Sequence, residues 1–189
     1  MTYHFIYTDG ATIEENAVST FNNLVKAGLD PVTTWIAADL EYDTWKKNGQ
    51  KCTKERCTKY TLQYLNTLEK LGCKKLFIYM NDDYYENYYD INQIKKYPIW
   101  SANFSRTTPK HNCVIFQYSE KGRVKGINSY VDMNYLYDKN MLSTSSTTAT
   151  ITAPIKQILE GEKNKLNTTI KQTGEITANL LNVRTWAGM

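Results

Sequence analysis

The apolar residues of this chain fall into short runs that alternate with longer amphipathic segments. Residues 3–7 form a short run rich in aromatic side chains, which predicts a first strand. After it, Thr12 and Glu15 are spaced as a capping box, and apolar residues recur at helical spacing until Gly28. The first 28 residues therefore predict a strand followed by a helix.

The same alternation continues through the next fifty residues. Residues 34–41 form a nearly continuous apolar run with acids only at its end, which is typical of a buried parallel strand. A helical stripe over residues 60–71 follows, and residues 76–80 form another short apolar run. The order predicted so far is β-α-β-α-β.

Two further strands are predicted at residues 99–104 and 114–118, with little room for a full helix between them. Gly122 and Gly126 bracket a hairpin after the second of these strands. Strands that alternate with helices favour a parallel α/β architecture, either a barrel or a doubly wound sheet. Catalytic groups are then expected at the carboxyl ends of the strands.

The last quarter of the chain has a different composition. Residues 143–153 are rich in serine and threonine, which predicts a linker after a first domain of residues 1–142. Residues 154–189 begin with an amphipathic, charged stretch that predicts either a helical spacer or a solvated one.

Composition narrows the class of protein. With 41% hydrophobic and 22% charged residues, the chain is neither disordered nor collagen-like. The net charge of +4 permits attraction to an anionic partner but does not indicate which one. No apolar run approaches the roughly 20 residues of a membrane helix, and residues 1–5 do not resemble a secretory signal, so we expect no membrane insertion.

Four cysteines are too few for a disulfide framework in a chain of this length. Cys52 and Cys57 could form a bridge across a loop, or all four thiols could be structural or incidental. The spacing of this pair has no nearby Cys or His partners and gives no zinc signature, and His4 and His111 lie far apart. We therefore predict no metal site.

The most specific local feature is the pair of acids that ends the third predicted element. Strand side chains two residues apart share a face, so Asp39 and Glu41 are expected to point into one site. Two crowded carboxylates of different proton affinity suit glycoside hydrolysis. Alternatively, they are loop acids that cap a helix or pair with Lys46 or Lys47. Asp132, on a later strand-forming run, could converge on the same site or be a surface acid.

Several motifs share an order and spacing with one enzyme family. They are Tyr3-His4-Phe5, the run 35–41 ending in Asp39-Leu40-Glu41, Ile78-Tyr79, Trp100-Ser101-Ala102, Phe116-Gln117-Tyr118-Ser119, Gly126-Ile127 and Val131-Asp132-Met133-Asn134. Over residues 3–137 this pattern resembles glycoside hydrolase family 25, the muramidase-type lysozymes. The resemblance implies a flattened, irregular β/α barrel that hydrolyses the β-1,4 bond between N-acetylmuramic acid and N-acetylglucosamine in peptidoglycan. It implies no cofactor.

The resemblance also implies roles for individual residues. Glu41 matches the catalytic acid, Asp39 its carboxylate neighbour, and Asp132 a late acidic position of the pocket. Substrate-binding positions are matched by five further residues: Tyr3, Tyr79, Trp100, Gln117 and Tyr118. For the aromatic and polar wall positions, ordinary core packing is the alternative.

This chain departs from the family pattern at its start. The family has an earlier strand with an active-site Asp before the segment at which this chain begins. We therefore expect a barrel that lacks its first strands, with exposed edges prone to self-association. The alternative function is a truncated, catalytically inactive remnant that still binds cell wall.

The C-terminal segment has a weaker resemblance. Residues 174–184 resemble the opening strands of a bacterial SH3-type wall-binding domain, cut off before its barrel closes. The whole arrangement resembles a phage endolysin or a bacterial autolysin. We therefore expect peptidoglycan as the partner, and a location either in the cytoplasm until lysis or at the bacterial wall.

Nucleic-acid binding is not expected. The many tyrosines and the positive charge would permit single-strand binding. However, no basic stripe interleaves with the tyrosines, and several of them lie in the acidic stretch 82–86.

Overall fold

The structure is a computed structural model that describes residues 1–8, 10–46 and 49–142. They belong to the first of two units into which the chain divides, Met1–Thr144. The predicted linker and C-terminal segment lie outside the described residues and stay predictions. None of the described helices is long and apolar enough to cross a membrane.

A single six-stranded sheet forms the framework of the described residues and curls into a half-barrel. Its strands lie side by side in chain order: β1 (Thr2–Phe5), β2 (Ile36–Asp39), β3 (Leu76–Asn81), β4 (Ile99–Ala102), β5 (Ile115–Gly122) and β6 (Val131–Leu136). Neighbours from β1 to β5 run parallel, and β6 is antiparallel to β5. The predicted α/β class with a barrel-like parallel sheet is confirmed.

Helices occupy the connections between the first four strands. They are α1 (Ile13–Lys26), α2 (Tyr42–Lys46), α3 (Lys54–Lys70), a five-residue π-helix (Tyr84–Tyr88) and α4 (Ile91–Ile94); a 3-10 helix (Lys139–Leu142) follows β6. The predicted capping box starts α1: the Glu15 amide donates to Thr12 Oγ1 at 3.1 Å, and the Thr12 amide donates to Glu15 Oε2 at 2.7 Å. Gly28, with φ of +74°, follows the end of the helix.

The two faces of the sheet have different neighbours. The inner face carries a buried hydrophobic cluster whose members include Ala37, Phe77, Tyr79, Trp100 and Ile115. The outer face carries the alternate side chains of each strand. There α3 contacts β2, and the His4 ring of β1 stacks on Tyr64 of α3 with centroids 5.9 Å apart. The helices therefore cover the outer face, and the inner face is the side on which the aromatic residues collect.

Some predicted boundaries were wrong. The first strand covers Thr2–Phe5 rather than 3–7, and β2 ends at Asp39, so Glu41 lies beyond it. The helix predicted at 60–71 begins at Lys54, because its first turn is defined by a cap rather than by apolar spacing: the Arg56 amide donates to Thr53 Oγ1 at 3.2 Å.

Candidate active site

The carboxyl ends of the parallel strands place Asp39 on the inner face. Phe5 pairs with Asp39, Asp39 with Tyr79, and Tyr79 with Trp100. Since paired residues of neighbouring strands share a face, these side chains lie in one row across four strands. Asp39 alternates with the inner-face residue Ala37 and is the last residue of β2, so its carboxylate lies at the carboxyl edge of the inner face.

The environment of Asp39 is largely closed to solvent. The residue is 4% exposed. The Asp39 carboxylate also affects two buried tyrosines. Burial is the main cause that raises the pKa values of Tyr64 and Tyr89, and the negative charge of Asp39 raises both further. A buried carboxylate acts over a longer range than an exposed one because the surrounding dielectric is low.

A turn, rather than the strand, determines the position of Glu41. The Glu41 amide donates to Thr44 Oγ1 at 3.0 Å, and the Thr44 amide donates to the Glu41 carbonyl at 3.0 Å. The strand alternation expected to align both acids therefore applies only to Asp39. Glu41 is half-buried and immediately precedes α2. Lys46 forms an ion pair with Asp43 at 2.5 Å. Lys47, the other lysine predicted to pair with these acids, lies outside the described residues.

The residue after Glu41 connects this turn to the segment that follows β3. The Tyr42 hydroxyl donates to Asp83 Oδ2, and its ring contacts Tyr84 edge-on with centroids 5.0 Å apart. Burial, followed by the hydrogen bond and charge of Asp83, raises the Tyr42 pKa to about 12. Trp45 Nε1 of α2 also donates to the Tyr84 hydroxyl at 3.0 Å. Tyr42 was not among the predicted site residues, although its place next to the acidic pair was a usable signal.

Three of the predicted substrate-binding aromatic residues come together on the inner face. Trp100 is 1% exposed, and its ring meets Tyr3 and Tyr79 edge-on with centroids 6.2 Å and 5.2 Å apart. The Trp100 indole donates to Asn134 Oδ1 at 2.8 Å, and the Tyr79 hydroxyl donates to Gln117 Oε1 at 2.7 Å. In this structure their rings pack mainly against other side chains, as in the core-packing alternative.

The structure separates Tyr118 from this group. A register shift interrupts β5 between Gln117 and Ser119, where Tyr118 lies. Its ring stacks on Tyr135 with centroids 4.3 Å apart. Tyr135 pairs with Phe116, which alternates with the inner-face residue Gln117. Tyr118 therefore lies on the outer face.

Asp132 lies on the inner face, but several strands away from Asp39. It alternates with Asn134, which pairs with Gln117 of β5. Because β6 is antiparallel, its start lies at the same edge as the end of β2. Four strand spacings separate β2 from β6, which is about 19 Å along the sheet surface. Asp132 would therefore reach Asp39 only through the curl of the sheet.

Within the described parts of the chain, no group of three or more His, Cys, Asp or Glu side chains could hold a metal ion. The acidic groups at the carboxyl edge instead offer one buried carboxylate, Asp39, beside a more accessible one, Glu41. Groups in unlike environments can differ in proton affinity, which is what paired acid and base chemistry needs.

A family model for glycosyl hydrolases family 25 matches residues 1–127. The chain belongs to this family. The match covers β1 to β5 and includes Asp39 and Glu41.

Solved structures of family 25 proteins and endolysins share the fold. The CTP1L endolysin is 27% identical, with a TM-score of 0.56, over 85% of this chain and 49% of that chain. GHIP, a glycosyl hydrolase 25 of Streptococcus pneumoniae, is 18% identical, with a TM-score of 0.54, over 71% of this chain and 57% of its own. The catalytic domain of the endolysin ply40, from bacteriophage P40 of Listeria monocytogenes, is 22% identical, with a TM-score of 0.52, over 74% of this chain and 67% of that chain.

This family 25 chain spans about half the length of the CTP1L endolysin and somewhat more of GHIP. No curated protein matches it by sequence.

Proposed function

We propose that this chain is a peptidoglycan hydrolase that cleaves the β-1,4 bond between N-acetylmuramic acid and N-acetylglucosamine. The observation that carries the proposal is the placement of Asp39 and Glu41. A family 25 chain has a buried carboxylate at the carboxyl end of β2, followed within two residues by an accessible one. This is the edge at which β/α folds carry their reacting groups.

The named relatives support cell wall as the substrate. CTP1L and ply40 are endolysins. The autolysin LytC of Streptococcus pneumoniae, which shares the fold at a TM-score of 0.58 and 17% identity, was solved in complex with a synthetic peptidoglycan ligand. A net charge of +4 also suits an anionic wall polymer.

In the proposed reaction, Glu41 is the general acid. Its half-buried position allows it to meet a bound glycan, and its proton passes to the glycosidic oxygen as the bond to the sugar breaks. In this proposal Asp39 is the neighbouring carboxylate that stabilises the positive charge developing on the sugar ring. Asp132 is the further acid of the pocket. By analogy with the family, the N-acetyl carbonyl oxygen of the substrate acts as the internal nucleophile, and water then opens the resulting ring.

The proposed binding surface is the carboxyl edge of the inner face. Tyr79, Trp100 and Gln117, each less than a tenth exposed, form the packed wall behind this edge. Tyr3, which packs against Trp100, supports this wall from β1. Tyr118, on the outer face, is not included in the pocket.

The proposed location is that of an endolysin or autolysin, either in the cytoplasm until lysis or at the bacterial wall.

Two carboxylate replacements and one matched control test the assignment. We expect Glu41→Gln to lower the release of soluble fragments from purified peptidoglycan by about 10²- to 10⁴-fold, the usual contribution of a general acid. Asp39→Asn is expected to lower it as well. Glu55→Gln, on the exposed first turn of α3, is the same change away from the site and should leave release unchanged.

Each outcome has a distinct meaning. Release that survives in Glu41→Gln would show that another group is the acid. If the folded native chain binds peptidoglycan but releases nothing, it is the inactive wall-binding remnant.

A further inference from the structure

Two cysteine thiols meet beside the first turn of α3. Cys52 Sγ and Cys57 Sγ lie 3.0 Å apart, and both cysteines are free. Cys57 is fully buried, whereas Cys52 is only partly buried. The other two cysteines lie elsewhere in the fold, Cys73 after α3 and Cys113 before β5.

Backbone and capping hydrogen bonds at the start of α3 hold the two cysteines close together. The Cys57 amide donates to the Thr53 carbonyl at 2.9 Å, and the Thr53 side chain caps the helix. A disulfide has its sulfur atoms about 2.05 Å apart. A movement of about 1 Å would therefore bring the two sulfur atoms from contact to bonding distance.

We propose that Cys52 and Cys57 are a site of oxidative modification, at which a low-molecular-weight disulfide such as oxidised glutathione converts the two thiols into one reversible intramolecular disulfide. This inference does not rest on the proposed hydrolase activity.

The exchange proceeds in two steps. The Cys52 thiolate attacks one sulfur of the small-molecule disulfide, whose S–S bond breaks and releases one small thiol. Cys57 then loses its proton and attacks the Cys52 sulfur of the mixed disulfide, releasing the second small thiol. The protein loses two hydrogen atoms, that is two protons and two electrons, and the small-molecule disulfide gains them as it becomes two thiols.

The environments of the two thiols determine this order. The partly exposed Cys52 can meet a reagent in solution, whereas Cys57 cannot. Burial is the main cause that raises the pKa of Cys57, which disfavours its thiolate in a first encounter. As the second reactant, Cys57 needs no access to solvent, because its partner sulfur is already in contact.

The modification would affect the packing beneath α2 only slightly. Cys52 Sγ donates to the Tyr84 hydroxyl at 3.7 Å, and this weak donor is lost on oxidation. Trp45 Nε1 of α2 donates to the same hydroxyl at 3.0 Å and remains available. The new bond therefore ties the segment before α3 to the helix without removing the contact between α2 and Tyr84.

Peptide mapping of the full chain tests the proposal. The reduced protein is exposed to oxidised glutathione, remaining thiols are blocked with iodoacetamide, and a glutamate-specific protease is added. Cleavage after Glu41, Glu55 and Glu69 places the two cysteines in different peptides, 42–55 and 56–69. We expect these two peptides to be joined in a monomer that has lost two hydrogen atoms, with Cys73 and Cys113 alkylated.

Two variants complete the test. Cys113→Ser removes another partly buried thiol and should form the same cross-link as the native chain. Cys52→Ser should form none. Oxidation should also raise the midpoint of thermal unfolding of the native chain and leave that of Cys52→Ser unchanged. The proposal is overturned if both thiols of the folded chain are alkylated, if Cys52 stops at the mixed disulfide, or if the cross-link forms only in denaturant.

Discussion

At the residue scale, hydrogen bonds satisfy the polar ends of the buried aromatic side chains. The Tyr79 hydroxyl of β3 reaches Gln117 of β5 across the intervening strand, and the Trp100 indole of β4 reaches Asn134 of β6. Tyr79, Gln117 and Trp100 are each less than a tenth exposed. Because a buried polar group without a partner is costly, these bonds determine which side chains the inner face can accept.

The bond between Tyr79 and Gln117 gives a first prediction. Tyr79→Phe removes the hydroxyl but keeps the ring. The buried Gln117 Oε1 then loses its hydrogen-bond donor. We expect the free energy of unfolding to fall by about 1–3 kcal/mol in denaturant titration. Tyr137→Phe, at a side chain that is 49% exposed, is the matched control and should change it by less than about 0.5 kcal/mol. Equal effects of the two changes would contradict this account.

A second prediction concerns His4. Asn16 Nδ2 donates to the carbonyls of Tyr7 and Thr12, so Asn16 Oδ1 is the acceptor for His4 Nε2 at 3.2 Å. Burial lowers the His4 pKa below its usual 6.5, against the smaller raising effect of Asn16. The unfolded chain therefore binds this proton first as the pH falls. The stability that neutral His4 contributes is present above pH 6.5. It is lost as the pH drops through the lower pKa that His4 has in the folded chain.

Unfolding titrations between about pH 7 and pH 5 test this sign. The native chain should lose more stability over this interval than His4→Gln, which cannot titrate there. If the two proteins lose stability equally, His4 does not stay neutral in the folded state.

At this scale the residue types of the site were predictable from the sequence, but their hydrogen-bond partners were not. The place of Asp39 at the end of a buried strand was predictable, because a nearly continuous apolar run precedes it. Asn134 was within a recognised motif, but its role depends on which strand lies opposite Trp100. Tyr118 was grouped with Gln117 in the predicted pocket, although neighbouring residues of a strand face opposite sides, and its ring stacks on Tyr135 of the outer face.

At the element scale, local signals predicted the helix and strand types but not all of their ends. The capping box fixed the start of α1 because both of its hydrogen bonds are local. The five-residue α2 has no periodic stripe to detect, and it depends on contacts with the π-helix. Glu41 lies in the turn that leads from β2 into this short helix.

The β5–β6 hairpin supplies a third prediction. The two glycines that predicted it act differently: Gly126 has φ of +91°, whereas Gly122 allows a close approach. A Cβ added at Gly122 would lie 2.2 Å from Met133 Cγ and 2.9 Å from the Val131 carbonyl oxygen. We expect Gly122→Ala to destabilise the chain by about 1–3 kcal/mol.

A double-mutant cycle isolates the cause of this effect. Adding Met133→Ala should recover part of the stability lost in Gly122→Ala, because the side-chain clash disappears while that with the Val131 carbonyl remains. Strictly additive effects would show that Met133 is not the obstacle.

At the scale of the whole molecule, the candidate site depends on how the sheet is assembled. Asp39 and Asp132 are separated by 92 intervening residues and four strand spacings. The parallel order from β1 to β5, together with the antiparallel β6, puts both at one edge. The alternation of strands and helices made that order predictable. The curvature that would bring the acids together arises from twist and packing across the entire sheet, which no local pattern contains.

The central claim is the bond that this family 25 chain cleaves, and the chemical identity of the new chain ends tests it most directly. Purified peptidoglycan is treated with the full chain, the products are reduced with borohydride, and the terminal sugar alcohols are identified by mass spectrometry. We predict N-acetylmuramitol at the new ends with the native chain and Glu55→Gln, and its loss with Glu41→Gln. New ends that carry N-acetylglucosaminitol or 1,6-anhydro sugars, or no new ends from the folded chain, would contradict the account.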